Sequence, residues 1–151
     1  MNGEIERIKD ITRLTEYVPH LLALYNSSKY RKLFEDDMTQ TRFVSRLFEH
    51  FNNPRNFLFG RIVNHRLEFF LCTGSPYEDQ KKQLVWFAYS NPKNSDKTYL
   101  WLDWCKEQAR KVGIEELRFI SNRNTKAYRL FAKRVGASLM CQTFTINLKD
   151  K

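Results

Sequence analysis

Residues 91–100 read NPKNSDKTYL. An apolar run, QLVWFAYS (83–90), precedes them, and an amphipathic one, WLDWCKEQARKVG (101–113), follows. The pattern predicts a turn that carries a strand into a helix. Such a turn is a natural anion site, because a helix N-terminus offers unpaired N–H groups and the positive end of its dipole. Lys93 and Lys97 add cations here, and Asp96 adds an anion. No glycine is present, yet glycine is what lets a backbone approach phosphate closely. Ser95 and Asp96 are good cap types, so either is expected to occupy the N–H groups that a phosphate would need.

Other reactive types are sparse. Cys72, Cys105 and Cys141 are far apart and odd in number, and His20, His50 and His65 share no ligand spacing. Zinc sites and disulfide frameworks use pairs at short spacing, so no metal is expected and the thiols read as buried. The 151 residues include 26 basic and 17 acidic ones, a net charge of +9. That favours anionic partners: nucleic acid, phosphorylated ligands or an acidic protein surface. A content of 42% apolar and 15% aromatic residues excludes a disordered chain. No apolar run approaches the roughly 20 residues of a membrane helix, and the opening MNGEIERIKD lacks the apolar centre of a secretory signal. The expectation is one cytoplasmic domain, residues 1–151, with no membrane partner.

The elements that would position the turn follow from periodicity. Residues 4–11 alternate as a half-buried strand would. Thr12 is expected to cap a helix that turns Leu14, Tyr17, Val18, Leu21, Leu22 and Tyr25 to one side. Residues 29–37 suggest a short irregular helix. Thr39 or Thr41 starts another, with Phe43, Val44, Leu47, Phe48 and Phe51 on one face. Strands 56–63 and 66–73 flank a tight turn at Asn64-His65, and a third strand spans 83–90. The helix after the turn runs to Val112, with Trp101, Trp104, Cys105 and Val112 inward and Gly113 as its C-terminal cap. A strand at 115–120, a helix opening at Asn124 or Thr125 with Phe131 inward, and a strand at 138–148 complete the chain. The order β-α-α-β-β-β-α-β-α-β predicts an α/β fold: a mixed sheet with an antiparallel meander, one right-handed parallel crossover, and helices on both faces.

This order, together with ISNRNTKAYRLFAKRVGA at 120–137, resembles the GNAT superfamily of acyl-CoA-dependent N-acyltransferases. Asn124, Ala127, Phe131 and Gly136-Ala137 carry the match. The resemblance implies acetyl-CoA or another acyl-CoA held in the cleft between residues 83–90 and residues 116–121. In that family a glycine-rich loop opens the helix after the fourth strand and holds the cofactor pyrophosphate. Here KNSDKT (93–98) takes its place, with Asp96 and Thr98 at the glycine positions. The cofactor contacts the resemblance would assign are Phe87, Ala88, Lys93, Asn94, Ser95, Lys97, Thr98, Asn124 and Phe131. The family tyrosine that protonates the departing thiolate falls on Phe131 or Ala132, neither of which has a proton to give; Tyr128 lies one turn earlier. The family's carboxylate base is absent from 83–90, and Glu68 on the preceding strand is the nearest substitute. General acid–base help is typically worth about 10²–10⁴-fold, so losing acid, base and cradle together argues against turnover and against a bound cofactor.

A narrower likeness, in YRLFAKRVGA, is to small GNAT-like proteins of tailed bacteriophages that also lack the glycine loop and serve as virion components. It implies a protein partner, with the host cytoplasm or the virion as location. Lys126, Arg129 and Lys133 fall on one side of the last predicted helix, flanked by Arg123, with Lys106 and Arg110 adding charge on the preceding one. The expectation is therefore a catalytically degenerate GNAT-like protein that acts by binding through a basic surface. The alternatives are an active N-acetyltransferase with an atypical cofactor loop, and a nucleic-acid-binding protein.

Overall fold

A computed structural model describes residues 5–34 and 37–119. Its elements are β1 (Glu6–Arg7), α1 (Ile11–Tyr25), a 3-10 turn (Arg31–Leu33), α2 (Gln40–Asn52), β2 (Leu58–Val63), β3 (Arg66–Gly74), β4 (Lys82–Ser90), a second 3-10 turn (Pro92–Asn94), α3 (Ser95–Lys111) and β5 (Glu116–Phe119). The expected helix after Asn124 and the strand at 138–148 lie outside the described residues.

The strands stand side by side in the order β1-β2-β3-β4-β5. The first four pair antiparallel, while β4 and β5 pair parallel from Lys82 opposite Glu116 to Val85 opposite Phe119. Side chains along a strand alternate between faces, so a sheet covered on both sides has two cores. One holds Leu58, Phe70, Cys72 and Phe87 against Tyr17 and Leu21 of α1 and Phe43 and Leu47 of α2. The other holds Phe57, Phe59, Phe69, Leu71 and Val85 against Trp101, Leu102, Cys105 and Ala109 of α3. Each fully buried Phe or Leu is worth about 1.5–3 kcal/mol relative to exposure. The mixed sheet with helices on both faces is the architecture expected from the element order.

Local chemistry explains most boundaries. Thr39 caps α2, its hydroxyl accepting from the Arg42 N–H at 3.1 Å. Asn64 and His65 both adopt positive φ, 52° and 63°, the backbone of a two-residue hairpin turn. At the end of α3 the Gly113 N–H donates to the Arg110 carbonyl at 3.0 Å and the Ile114 N–H to that of Ala109 at 3.1 Å. This is a Schellman ending, with Gly113 at φ 90°.

Four expectations need correction. The first strand is only Glu6–Arg7, and it is covered on both faces rather than half-buried: Ile5 and Ile8, three residues apart, point into the two different cores. The cap of α1 is Asp10, not Thr12: its carboxylate accepts from the Thr12 N–H at 2.9 Å, so the helix starts two residues earlier. Val112 is 58% exposed, since the Schellman turn gives its inward place to the buried Ile114. Ser95 and Asp96 lie inside α3 rather than capping it; Asn94 stands at the N-cap and makes no side-chain cap bond.

Periodicity did not suggest two irregularities of the sheet. In the β2–β3 pair Arg61 faces Phe69 and Ile62 faces Leu67, so Glu68 is an extra residue of β3; the other, a β-bulge, lies in β4. Cys72 pairs with Phe87 and Thr73 with Val85, so Trp86 is an extra residue in β4. It switches the faces of the strand: Val85 packs toward α3, and Phe87, two residues on, packs toward α1 and α2. Bulges bend a strand and re-aim side chains, often beside functional sites.

Candidate functional site

Beyond the bulge, the last residues of β4 lead into the turn. Trp86 stacks on Phe43 (ring centroids 5.3 Å) and lies 4.6 Å from the His50 ring, fixing the bulge against α2. Phe87 is buried, whereas Ala88 is exposed. Tyr89 returns to the α1/α2 side, where it meets Tyr30 edge-on with centroids 5.5 Å apart. Burial, then the charge of and hydrogen bond with Tyr30, then the charge of Glu68 push the Tyr89 phenol up to about 12. It therefore holds its proton throughout the neutral range.

Glu68 belongs to the same cluster through Asn91. The Asn91 N–H donates to the Glu68 carbonyl and its side-chain amide donates to the Glu68 carboxylate, each at 2.9 Å. The other side of Asn91 builds the turn. Its side-chain oxygen accepts from the Lys93 N–H at 3.0 Å, and its carbonyl accepts from Asn94 at 2.9 Å. The Ser95 N–H goes to the Pro92 carbonyl. A helix start leaves four N–H groups without helical partners; for α3 those of Asn94 and Ser95 are spent within the turn itself. The expected loss of donors is real, but a 3-10 turn causes it, not a Ser or Asp cap.

Thr98, at a family glycine position, also closes the turn. Its hydroxyl donates to the Asn94 carbonyl at 3.2 Å and lies 2.5 Å from the Ser90 hydroxyl. The side chain thus joins the first turn of α3 to the end of β4. Lys93, Ser95, Asp96 and Lys97 are exposed. The arrangement offers a carboxylate and a phenol on the α1/α2 side, and a hydrogen-bonded turn bearing two lysines at its rim. It does not offer a recessed backbone cradle.

The structure brings Glu68, Phe87, Ala88, Lys93, Asn94, Ser95, Lys97 and Thr98 to one end of the sheet. Asn124, Tyr128 and Phe131 lie outside the described residues, as do Arg123, Lys126, Arg129 and Lys133. Lys106 and Arg110 are each ion-paired along α3, to Asp103 at 3.1 Å and Glu107 at 2.6 Å, so this stretch presents little uncompensated charge. Sequence reasoning missed Tyr30, Tyr89 and Asn91. The Asn-Pro dipeptide at 91–92 signals a turn, but nothing in the sequence ties it to Glu68, 23 residues earlier. Among the described residues no His, Cys, Asp and Glu group is arranged to hold a metal, and no helix is long and apolar enough to cross a membrane.

Several solved structures with the same fold are acetyltransferases at low sequence identity, and one is a transcriptional regulator from Bacillus halodurans with a TM-score of 0.66 at 13% identity, over 95% of this chain and 98% of that one. A predicted acetyltransferase with acetyl-CoA from Clostridium acetobutylicum superimposes with a TM-score of 0.68 at 13% identity, over 98% of this chain and 97% of that one. An aminoglycoside antibiotic 6'-N-acetyltransferase from Acinetobacter haemolyticus gives 0.67 at 9% identity over 100% of both chains. A ribosomal-protein-alanine N-acetyltransferase from Brucella melitensis gives 0.63 at 14%, covering 96% and 99%. The fold is that of the GNAT acetyltransferases. No protein-family model matches the sequence, and no curated protein does.

Proposed function

We propose that this is a GNAT-fold protein that acts by binding rather than by acyl transfer, with no resident acyl-CoA. One observation carries the reading: the turn at the cofactor position is closed by its own hydrogen bonds. Asn91 accepts from Lys93 and Asn94, Pro92 accepts from Ser95, and Thr98 fills the space beside Ser90. A pyrophosphate held by backbone N–H groups would have to displace these bonds. The likeness of YRLFAKRVGA to phage virion components makes an assembly role, in the host cytoplasm or the virion, the setting to test first. Calorimetric titration with acetyl-CoA and longer acyl-CoAs is expected to give no heat of binding. Micromolar affinity for any of them would overturn the reading.

The Glu68–Tyr89–Tyr30 cluster favours a second reading, an acyl-CoA-dependent N-acetyltransferase with an atypical loop. Glu68 would accept the proton of an amine, directly or through water. Release of free coenzyme thiol in the presence of amine acceptors would support it. In an active preparation Glu68→Gln should then lower kcat by about 10²–10⁴-fold, and an unchanged kcat would dismiss Glu68 as the base.

A further inference from the structure

We propose that the sheet end carrying the closed turn is a docking surface for the phosphodiester backbone of duplex nucleic acid, with Arg66, Lys93 and Lys97 as its contacts. The proposal rests on the reading of the turn as closed to cofactor, and it names the partner class for that end of the molecule. Arg66 opens β3 just after the hairpin turn, two residues before Glu68. Glu68 is bonded twice to Asn91, and Lys93 lies two residues beyond, so the hairpin and the turn share one edge. Lys97 follows one helical turn later on α3. All three are exposed, and among the described residues none takes part in an ion pair, unlike Lys106 and Arg110. Lys29 adds a fourth exposed cation near the same end, its Nζ 5.2 Å from the Tyr30 ring that packs on Tyr89. The opposing acids are Asp96, which is exposed, and Glu68, whose carboxylate is occupied by Asn91.

The chemistry of the rim selects among anions. Protein interfaces gather apolar and aromatic side chains at their centres, whereas surfaces that bind nucleic acid are polar and strongly basic. Here Leu100 is the single exposed large apolar side chain close to the rim; the others among the described residues, Ile11 and Val112, lie at the start of α1 and the end of α3. The described aromatic side chains are all buried or half-buried, a poorer stacking platform than unpaired bases use. What remains is a set of exposed point charges at one end of the sheet, the chemistry that contacts the phosphates of a duplex.

The test is fluorescence anisotropy with a labelled 20-base-pair DNA duplex over a salt series, alongside poly-glutamate and a single strand of equal length. Duplex binding should weaken linearly in log–log terms as salt rises. The triple variant Arg66→Gln/Lys93→Gln/Lys97→Gln should lower that slope by about 3, at roughly 0.9 per lost phosphate contact. Lys81→Gln, which removes an exposed cation already paired with Glu115 at the far end of β4, should leave the slope unchanged. A thermal melt of the triple variant verifies its fold. Absence of duplex binding, binding to poly-glutamate alone, preference for the single strand, or a slope the triple variant does not alter would each overturn the proposal. Acetyl-CoA titrated into the same preparation separates the two failures: heat from the cofactor refutes the closed turn, whereas the Arg66→Gln single variant reads the docking edge outside it.

Discussion

At the scale of single residues, two glycines do different things and should fail differently. A Cβ on Gly60 would lie 2.4–2.6 Å from ring and hydroxyl atoms of Tyr17. That ring cannot retreat, because it is fully buried and its hydroxyl donates to Glu6 at 2.8 Å. Gly60→Ala is therefore expected to cost about 1–3 kcal/mol through overpacking. Gly113 has open space around it but a φ of 90°, so Gly113→Ala is expected to cost about 1 kcal/mol from backbone strain alone. Urea unfolding of both variants checks the ranking; a larger loss at Gly113 would contradict it. Thr73 is the polar counterpart. Its buried hydroxyl accepts from the Phe57 N–H at 2.8 Å and donates to the fully buried Gln83 at 2.6 Å. Thr73→Val keeps the shape and strands both partners. A loss of roughly 1–3 kcal/mol is expected, and a stability equal to the parent chain would show that the pair finds other partners.

At the scale of elements, what was legible in the sequence is what short-range chemistry decides. Thr39 before an apolar period, Gly113 after one, and a polar dipeptide between two alternating runs each announce a boundary without reference to the rest of the chain. The hairpin also shows where the local signal is imperfect. His65 holds φ 63°, a region that costs a side-chain-bearing residue about 1–2 kcal/mol and glycine almost nothing. His65→Gly is therefore expected to raise stability by about 1 kcal/mol, with an unchanged or lower melting temperature counting against the turn geometry. The illegible parts depend on partners distant in sequence. The bulge at Trp86 exists only relative to Cys72 and Thr73 across the strand pair. The bond from Asn91 to Glu68 exists only once β3 and β4 lie in register. Val112 looked inward by helical period, but the Schellman turn ends that period before it.

At the scale of the whole molecule, buried titratable groups make stability depend on pH in two stages. Burial lowers the pKa of His50 and of His20 below the ordinary 6.5, helped by Arg46 beside the first and His65 beside the second. The unfolded chain then binds protons that the folded chain refuses, so stability is full above about pH 6.5 and falls below it. Glu6 gives the second stage. Burial raises its pKa, but hydrogen bonds from Arg13 and Tyr17 and the Arg13 charge outweigh this and hold it below the ordinary 4.5. Its contribution is present above that pH and is lost as pH falls further. Melting temperatures recorded from pH 8 to pH 3 should therefore decline in two steps, and His50→Gln should flatten the upper one. An unaltered upper step in that variant would exclude His50 as its source.

The extra residue at Trp86 also constrains how such a chain can be recombined. It shifts the inside-outside phase of β4 halfway along, so the strand is read in one phase against α3 and in the other against α1 and α2. A chimera that takes β4 from an unbulged sheet would bring the right composition with one half inverted, putting Phe87 on the α3 side. Crossovers that conserve the fold must carry residue 86 together with the Cys72–Thr73 step it faces. The two strands are therefore inherited as a single unit.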